Sequence, residues 1–122
     1  MIEREEPLLY SKPEGILVVC QGNPEFLLPG GGAKQNESRI EAAIRELREE
    51  TGLIAYDVRY LFAFHRSNIF LIKATGEPKP CHEISKIGYY REGSSIPISF
   101  NTRLIIERFW REYPDLSERT LK

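Results

Sequence analysis

Cysteine is scarce: Cys20 and Cys81 are the two among 122 residues. They form no metal-type spacing, and two buried free thiols in a reducing cytoplasm are expected rather than a disulfide. No charge of one sign dominates. Seventeen Lys and Arg face 18 Asp and Glu, for a net charge of −1. That balance argues against a nucleic-acid polymer or a membrane held through a basic surface. Long apolar runs are missing as well, since Gly15–Cys20 and Tyr60–Phe64 fall far short of the ~20 residues of a membrane span. The start, Met1-Ile2-Glu3-Arg4-Glu5-Glu6, lacks the apolar stretch of a secretory signal. No repeat, linker or low-complexity tract interrupts the chain, so residues 1–122 are expected to form one cytoplasmic domain. Hydrophobic residues make up 41%, enough for a packed core.

The apolar run Gly15–Cys20 predicts a buried strand. Gln21-Gly22-Asn23-Pro24 predicts a turn, and Glu25–Leu28 a second short strand. Pro29-Gly30-Gly31-Gly32 excludes regular structure, because Pro removes a donor and the glycines leave the backbone uncommitted. A helix is predicted from Glu37 or Ser38 to Thr51, with Asn36 or Ser38 as N-cap, a Ser38–Glu41 capping box and Gly52 as its stop. Strands follow near Ala55–His65 and Ile69–Ala74 around a turn at Arg66-Ser67-Asn68. The prolines of Gly76–Cys81 mark a loop, and Glu83–Arg91 reads as another strand. Asn101–Tyr113 is amphipathic, with Leu104, Ile105, Phe109 and Trp110 facing inward. Strands without an alternating βαβ rhythm define the fold class as α+β.

On a helical wheel of about 100° per residue, Glu49 and Glu50 fall near 300° and 40° from Glu46, so the three acids share one arc. Ile40, Ala43, Ile44 and Leu47 form the core-facing stripe. Ala42, one turn before Glu46, lies in the acidic arc and is too small to block access to it. Arg45 can pair with Glu41 or Glu49, while Arg48 lies far round the wheel. Three like charges at these spacings oppose the helix by a few tenths of a kcal/mol per pair, and on an arbitrary helix they would mark a solvated face. The glycine loop just upstream changes that reading. Clustered carboxylates with loop carbonyls suit a hard divalent cation, Mg²⁺ or Mn²⁺, and loop amides suit phosphate oxygens.

From Gly31 to Leu53 the chain resembles the Nudix box, G-x5-E-x7-R-E-U-x-E-E-x-G-U, at every defined position: Gly31, Glu37, Arg45, Glu46, Leu47, Glu49, Glu50, Gly52 and Leu53. Leu28-Pro29-Gly30 also matches what Nudix proteins usually carry. The box covers about a fifth of the chain and departs from many relatives at Asn36, where they have Gly. The resemblance implies a mixed β-sheet sandwiched between helices, and metal-dependent hydrolysis of a nucleoside diphosphate linked to another group. It implies Glu49 and Glu50 as metal ligands and Glu46 as a ligand or the base. Arg45 would orient Glu46, and Glu37 would support the loop or reach a second metal through water. A carbonyl of Gly30 or Gly31 would complete the coordination, with Gly30, Gly31 and Gly32 also facing the substrate.

Outside the box, Glu83 resembles the extra acid that relatives carry near a late strand, against the plain reading of a surface charge. His82 is a weaker base, and Tyr89 stands where relatives often have an aromatic. Phe26 could stack on a nucleobase or pack in the core. Tyr60, Phe62 and Phe64 alternate along one strand face, as core rather than a platform for a base, and Arg39 is a surface residue with a phosphate role as the alternative. No Pro lies about fifteen residues beyond Leu53, as it tends to in ADP-ribose hydrolases, and Phe70 falls where diadenosine-polyphosphate hydrolases usually have Tyr. Gly32 is shared by several subfamilies. The chain's brevity favours a nucleoside-triphosphate house-cleaning type. The competing reading is a non-catalytic Nudix-fold nucleotide sensor, opposed by the intact carboxylates. The partner is then a small nucleotide-type diphosphate, and the sequence leaves open whether the chain works as a monomer or a homodimer.

Overall fold

The computed structural model describes residues 6–32, 34 and 36–117, so the charged start Met1–Glu5 lies outside the described residues. In chain order these form β1 (Leu8–Leu9), β2 (Ser11–Lys12), β3 (Gly15–Cys20), α1 (Arg39–Thr51), β4 (Ile54–Phe64), β5 (Ser67–Thr75), β6 (Lys86–Tyr90), α2 (Phe100–Glu112) and a 3₁₀ turn at Pro114–Leu116. The strands make two three-stranded sheets, β1-β5-β4 and β2-β3-β6. The first is mixed, β1 running parallel to β5 and β4 antiparallel to it; the second is antiparallel.

All six residues of β3 are buried, which requires cover on both faces. The helices provide it. Ile16 and Val18 pack with Ile105, Ile106, Phe109 and Trp110 of α2. Leu17, which points the other way, packs with Ala43 and Leu47 of α1. Leu8 and Leu9 split between the same two clusters. The expected sheets between helices are therefore present.

Several local expectations shift. Glu25–Leu28 is no full strand: two isolated bridges, Val19 with Leu27 and Phe26 with Ile98, hold it in place. The turn between β4 and β5 falls at His65-Arg66, because His65 takes the left-handed conformation at φ 54°. The pairing register slips between Tyr60 and Phe62, so Leu61 and Phe62 are both buried while Tyr60 is exposed. That bulge breaks the expected stripe of Tyr60, Phe62 and Phe64. β6 begins at Lys86 rather than Glu83. In α2 the buried residue is Ile106 rather than Leu104.

Candidate active site

α1 starts and stops where its residue chemistry dictates. Ser38 Oγ accepts from the Glu41 N–H at 3.1 Å, and Glu41 Oε1 accepts from the Ser38 N–H at 2.9 Å. The backbone bond to Ser38 comes first among the causes that hold the Glu41 carboxyl below its ordinary range. At the far end Gly52 adopts φ 80°, and its N–H reaches Arg48 O at 2.8 Å. Asn36 sits at φ 65°, so it adopts the left-handed turn for which many relatives use glycine.

Arg45 is the hub of the acidic face. Its Nε and Nη2 grip Glu37 at 2.7 and 3.0 Å, and its Nη1 reaches Glu46 Oε1 at 2.6 Å and Glu49 Oε1 at 3.1 Å. The Arg45 bond is the chief cause that brings the Glu37 carboxyl down to about 2, with the Lys34 N–H adding to it. The same bonds, to Glu37 first and Glu46 second, raise the Arg45 guanidinium above its ordinary value. The Glu49 carboxyl is lowered, first by its hydrogen bond with Glu46 and further by the Arg45 charge.

The glycine loop lies against this face. A Cβ on Gly31 would sit 2.4 Å from Glu46 Cγ, and one on Gly30 would sit 2.4 Å from the Glu6 carbonyl oxygen, at φ +133°. Gly30 donates its N–H to Glu50 Oε1 at 3.3 Å. Glu6 is itself buried, pairing with Arg39 Nε at 3.2 Å and accepting from the Asn68 N–H at 2.8 Å. Arg39 is thus engaged beneath the loop, with Nη2 on Arg66 O at 2.9 Å. Ala42, one turn below Glu46, is wholly buried and leaves no opening in the arc.

Glu46, Glu49 and Glu50 line one cavity of ≈ 260 Å³ together with Glu83, His82, Gln21 and Ile84. Glu83 is brought there by a turn, with His82 at φ 55°, rather than by a strand. The segment leading into it is tied to the end of α1: Lys79 N–H donates to Thr51 O at 3.1 Å, and Cys81 N–H to Glu50 O at 3.0 Å. Gln21 donates to Glu83 Oε2 at 3.1 Å. No sequence motif marked Gln21; its place just after β3, beside the turn that carries Glu83, emerges only in three dimensions. Glu37 is half-buried against Arg45 and does not line the cavity, nor do Gly30, Gly31 and Gly32. Phe26 also stands elsewhere, in an open groove of ≈ 610 Å³ along β6 with Pro78, Pro80, Tyr89 and Ile96. A further recess of ≈ 260 Å³ at the start of α2 is lined by Leu27, His65, Ser67, Ser99, Asn101 and Thr102 among others.

Residues 8–120 match the NUDIX domain family. A protein assigned to the nudix hydrolase family from Chromobacterium violaceum is 33% identical, with a TM-score of 0.81 over 91% of this chain and 78% of that one. A UDP-X diphosphatase is 23% identical, with a TM-score of 0.77 over 94% and 64%. A bifunctional NMN adenylyltransferase/ADP ribose pyrophosphatase from Francisella tularensis, complexed with AMP and a Mn ion, is 19% identical, with a TM-score of 0.68 over 92% and 42%. No curated protein matches the sequence significantly. The chain belongs to the Nudix family. It is a Nudix hydrolase, of the class acting on phosphorus-containing acid anhydrides.

Proposed function

We propose that the protein is a Mg²⁺- or Mn²⁺-dependent pyrophosphohydrolase that cleaves a phosphoanhydride bond in a nucleoside diphosphate linked to a further group, with a nucleoside triphosphate as the favoured substrate. The observation that carries this reading is the single cavity faced by Glu46, Glu49, Glu50 and Glu83. Its donors fit a hard divalent cation in kind, being mainly carboxylate oxygens. Among the described residues, no three acid, thiol or imidazole groups already converge on one point. Arg45 accounts for part of this, since its Nη1 holds an oxygen of both Glu46 and Glu49. Those side chains would swing inward to bind. A bound cation would neutralise charge on the transferring phosphoryl oxygens. The relative bound to AMP and Mn supports that choice of ion.

The chain's own groups divide the remaining work. Glu46, Glu49 and Glu50 supply ligands, with a carbonyl from Gly30 or Gly31 beside them. Arg45, anchored by Glu37, stays beside Glu46 and Glu49 and limits how far they turn as they close on the cation. Glu83 takes the proton of the attacking water. Among the described residues its carboxylate accepts only from the neutral Gln21 amide, whereas Glu46 already bonds Arg45 at 2.6 Å. An oxygen without a cationic partner remains available to a water proton. Of the two thiols expected to be buried, Cys20 is buried and Cys81 only half-buried. Among the described residues, no helix is long and apolar enough to cross a membrane.

The test is a turnover screen with Mg²⁺ over nucleoside triphosphates, sugar nucleotides, ADP-ribose and dinucleoside polyphosphates. Release of nucleoside monophosphate or phosphate from at least one is expected. Thermal stabilisation by a nucleotide without turnover of any would overturn the enzymatic reading.

A further inference from the structure

β4 closes one side of its sheet, in the order β1-β5-β4. Among the described residues, its outer edge is bonded only at the C-terminal end, where Tyr113 Oη donates to Leu61 O at 2.8 Å and Arg108 Nη1 to Ala63 O at 3.3 Å. Among the described residues, nothing comparable bonds the outer backbone of residues 54–60. This bare stretch also carries three of the five large apolar side chains that the described residues leave exposed: Ile54 at 52%, Tyr56 at 66% and Tyr60 at 53%. A long edge with apolar side chains is a template for another strand.

We propose that this edge pairs with itself in a second copy of the chain, antiparallel and centred on Val58. Between the two register slips, Asp57–Tyr60 is regular strand, paired with Lys73, Ile72, Leu71 and Phe70. Residues opposite each other in a sheet share a face, so a two-fold antiparallel pair must be centred on one residue facing its own copy. Charge selects which one. Centring on Asp57 or Arg59 sets like charges against each other, and centring on Tyr56 or Tyr60 leaves both charges unmatched. Centring on Val58 puts Asp57 opposite Arg59 of the second copy twice over, both within the regular stretch. Opposite-charge cross-strand pairs favour pairing.

Sedimentation equilibrium of the full chain over a wide concentration range tests this. Wild type should reach a dimer. Arg59→Asp should raise the dissociation constant about tenfold or more, because both attractive pairs become repulsive. The double exchange Asp57→Arg with Arg59→Asp should restore association. Both residues are exposed, and circular dichroism should report an unchanged fold. Val58→Cys supplies an independent reading of the register. Opposed Cα atoms in an antiparallel pair lie about 4.5–5.5 Å apart, within disulfide span, so mild oxidation should cross-link the introduced thiol to its own copy. Wild type that stays monomeric at every concentration would overturn the proposal. So would an Arg59→Asp chain that associates as wild type does, or a double exchange that does not recover.

Discussion

A methyl group added at Gly31 would lie 2.4 Å from Glu46 Cγ, 2.9 Å from its Cδ and 3.1 Å from its Cβ. Carbon atoms rest at about 3.5–4.0 Å, so the Glu46 side chain must retreat by roughly 1 Å in Gly31→Ala. Gly31 is not among the residues at positive φ, so the backbone itself accepts alanine. A displacement of about 1 Å in a group that positions the reaction costs about a hundredfold in rate, equivalent to about 2.7 kcal/mol of barrier. Stability should move little. The clash falls on a part-exposed side chain, and alanine gains about 0.4–1 kcal/mol by restricting the unfolded chain. The assay is kcat/KM at saturating Mg²⁺ on the substrate that wild type turns over fastest, beside a melting curve. We expect a loss of about a hundredfold with a melting temperature within about 5 °C of wild type. In a Glu46→Gln background the same change should cost almost nothing further, since both act on one group. Full activity in Gly31→Ala would refute the reasoning, as would losses that multiply in the double variant.

Three further outcomes follow from neighbouring features. Gly30→Ala should destabilise the fold by more than about 2 kcal/mol in urea unfolding, because its Cβ would meet the Glu6 carbonyl oxygen, which is backbone, at φ +133°; wild-type stability would contradict this. Burial pushes the Tyr89 phenol up to about 12 from 10.0. The folded protein then keeps a proton that the unfolded chain gives up, so this contribution is intact below pH 10 and is lost as pH rises toward about 12. Melting curves of wild type and Tyr89→Phe should diverge in that window, and parallel profiles would show that the phenol is not sheltered. Glu83→Gln should slow turnover at least about tenfold with the melting temperature unchanged, and near-normal kinetics would return Glu83 to the surface.

What the sequence made legible was what is local. Ser38 and Glu41 cap α1, Gly52 ends it and Asn36 takes the left-handed turn, each because a short-range geometry demands that residue type. The gathering of Glu46, Glu49 and Glu50 on one face follows from helical periodicity alone. The remainder depended on contacts between distant segments. One slipped residue near Leu61 turned a regular apolar stripe into two adjacent buried residues, and alternation cannot announce such a slip. Glu83 reaches the cavity through a left-handed turn at His82 and a segment tied to the end of α1, neither of which a strand pattern describes. Phe26 lies close in sequence to the glycine loop, yet it packs beside Gly88 and Ile96, because the chain turns sharply between them. Arg39, expected at the surface, instead pairs with the buried Glu6 beneath the loop that carries the site.

The central claim, that the Glu46, Glu49, Glu50 and Glu83 cavity directs water onto phosphorus with the help of a bound cation, is tested most directly by turnover in ¹⁸O-labelled water. The reaction is run with Mg²⁺, with EDTA after removal of bound metal, and with Glu50→Gln. The account predicts label on a phosphate-bearing product with Mg²⁺, no turnover in EDTA, and near-abolished turnover in Glu50→Gln together with a smaller melting shift on adding Mg²⁺. Undiminished turnover by metal-free protein, or label recovered only on a sugar carbon, would contradict it.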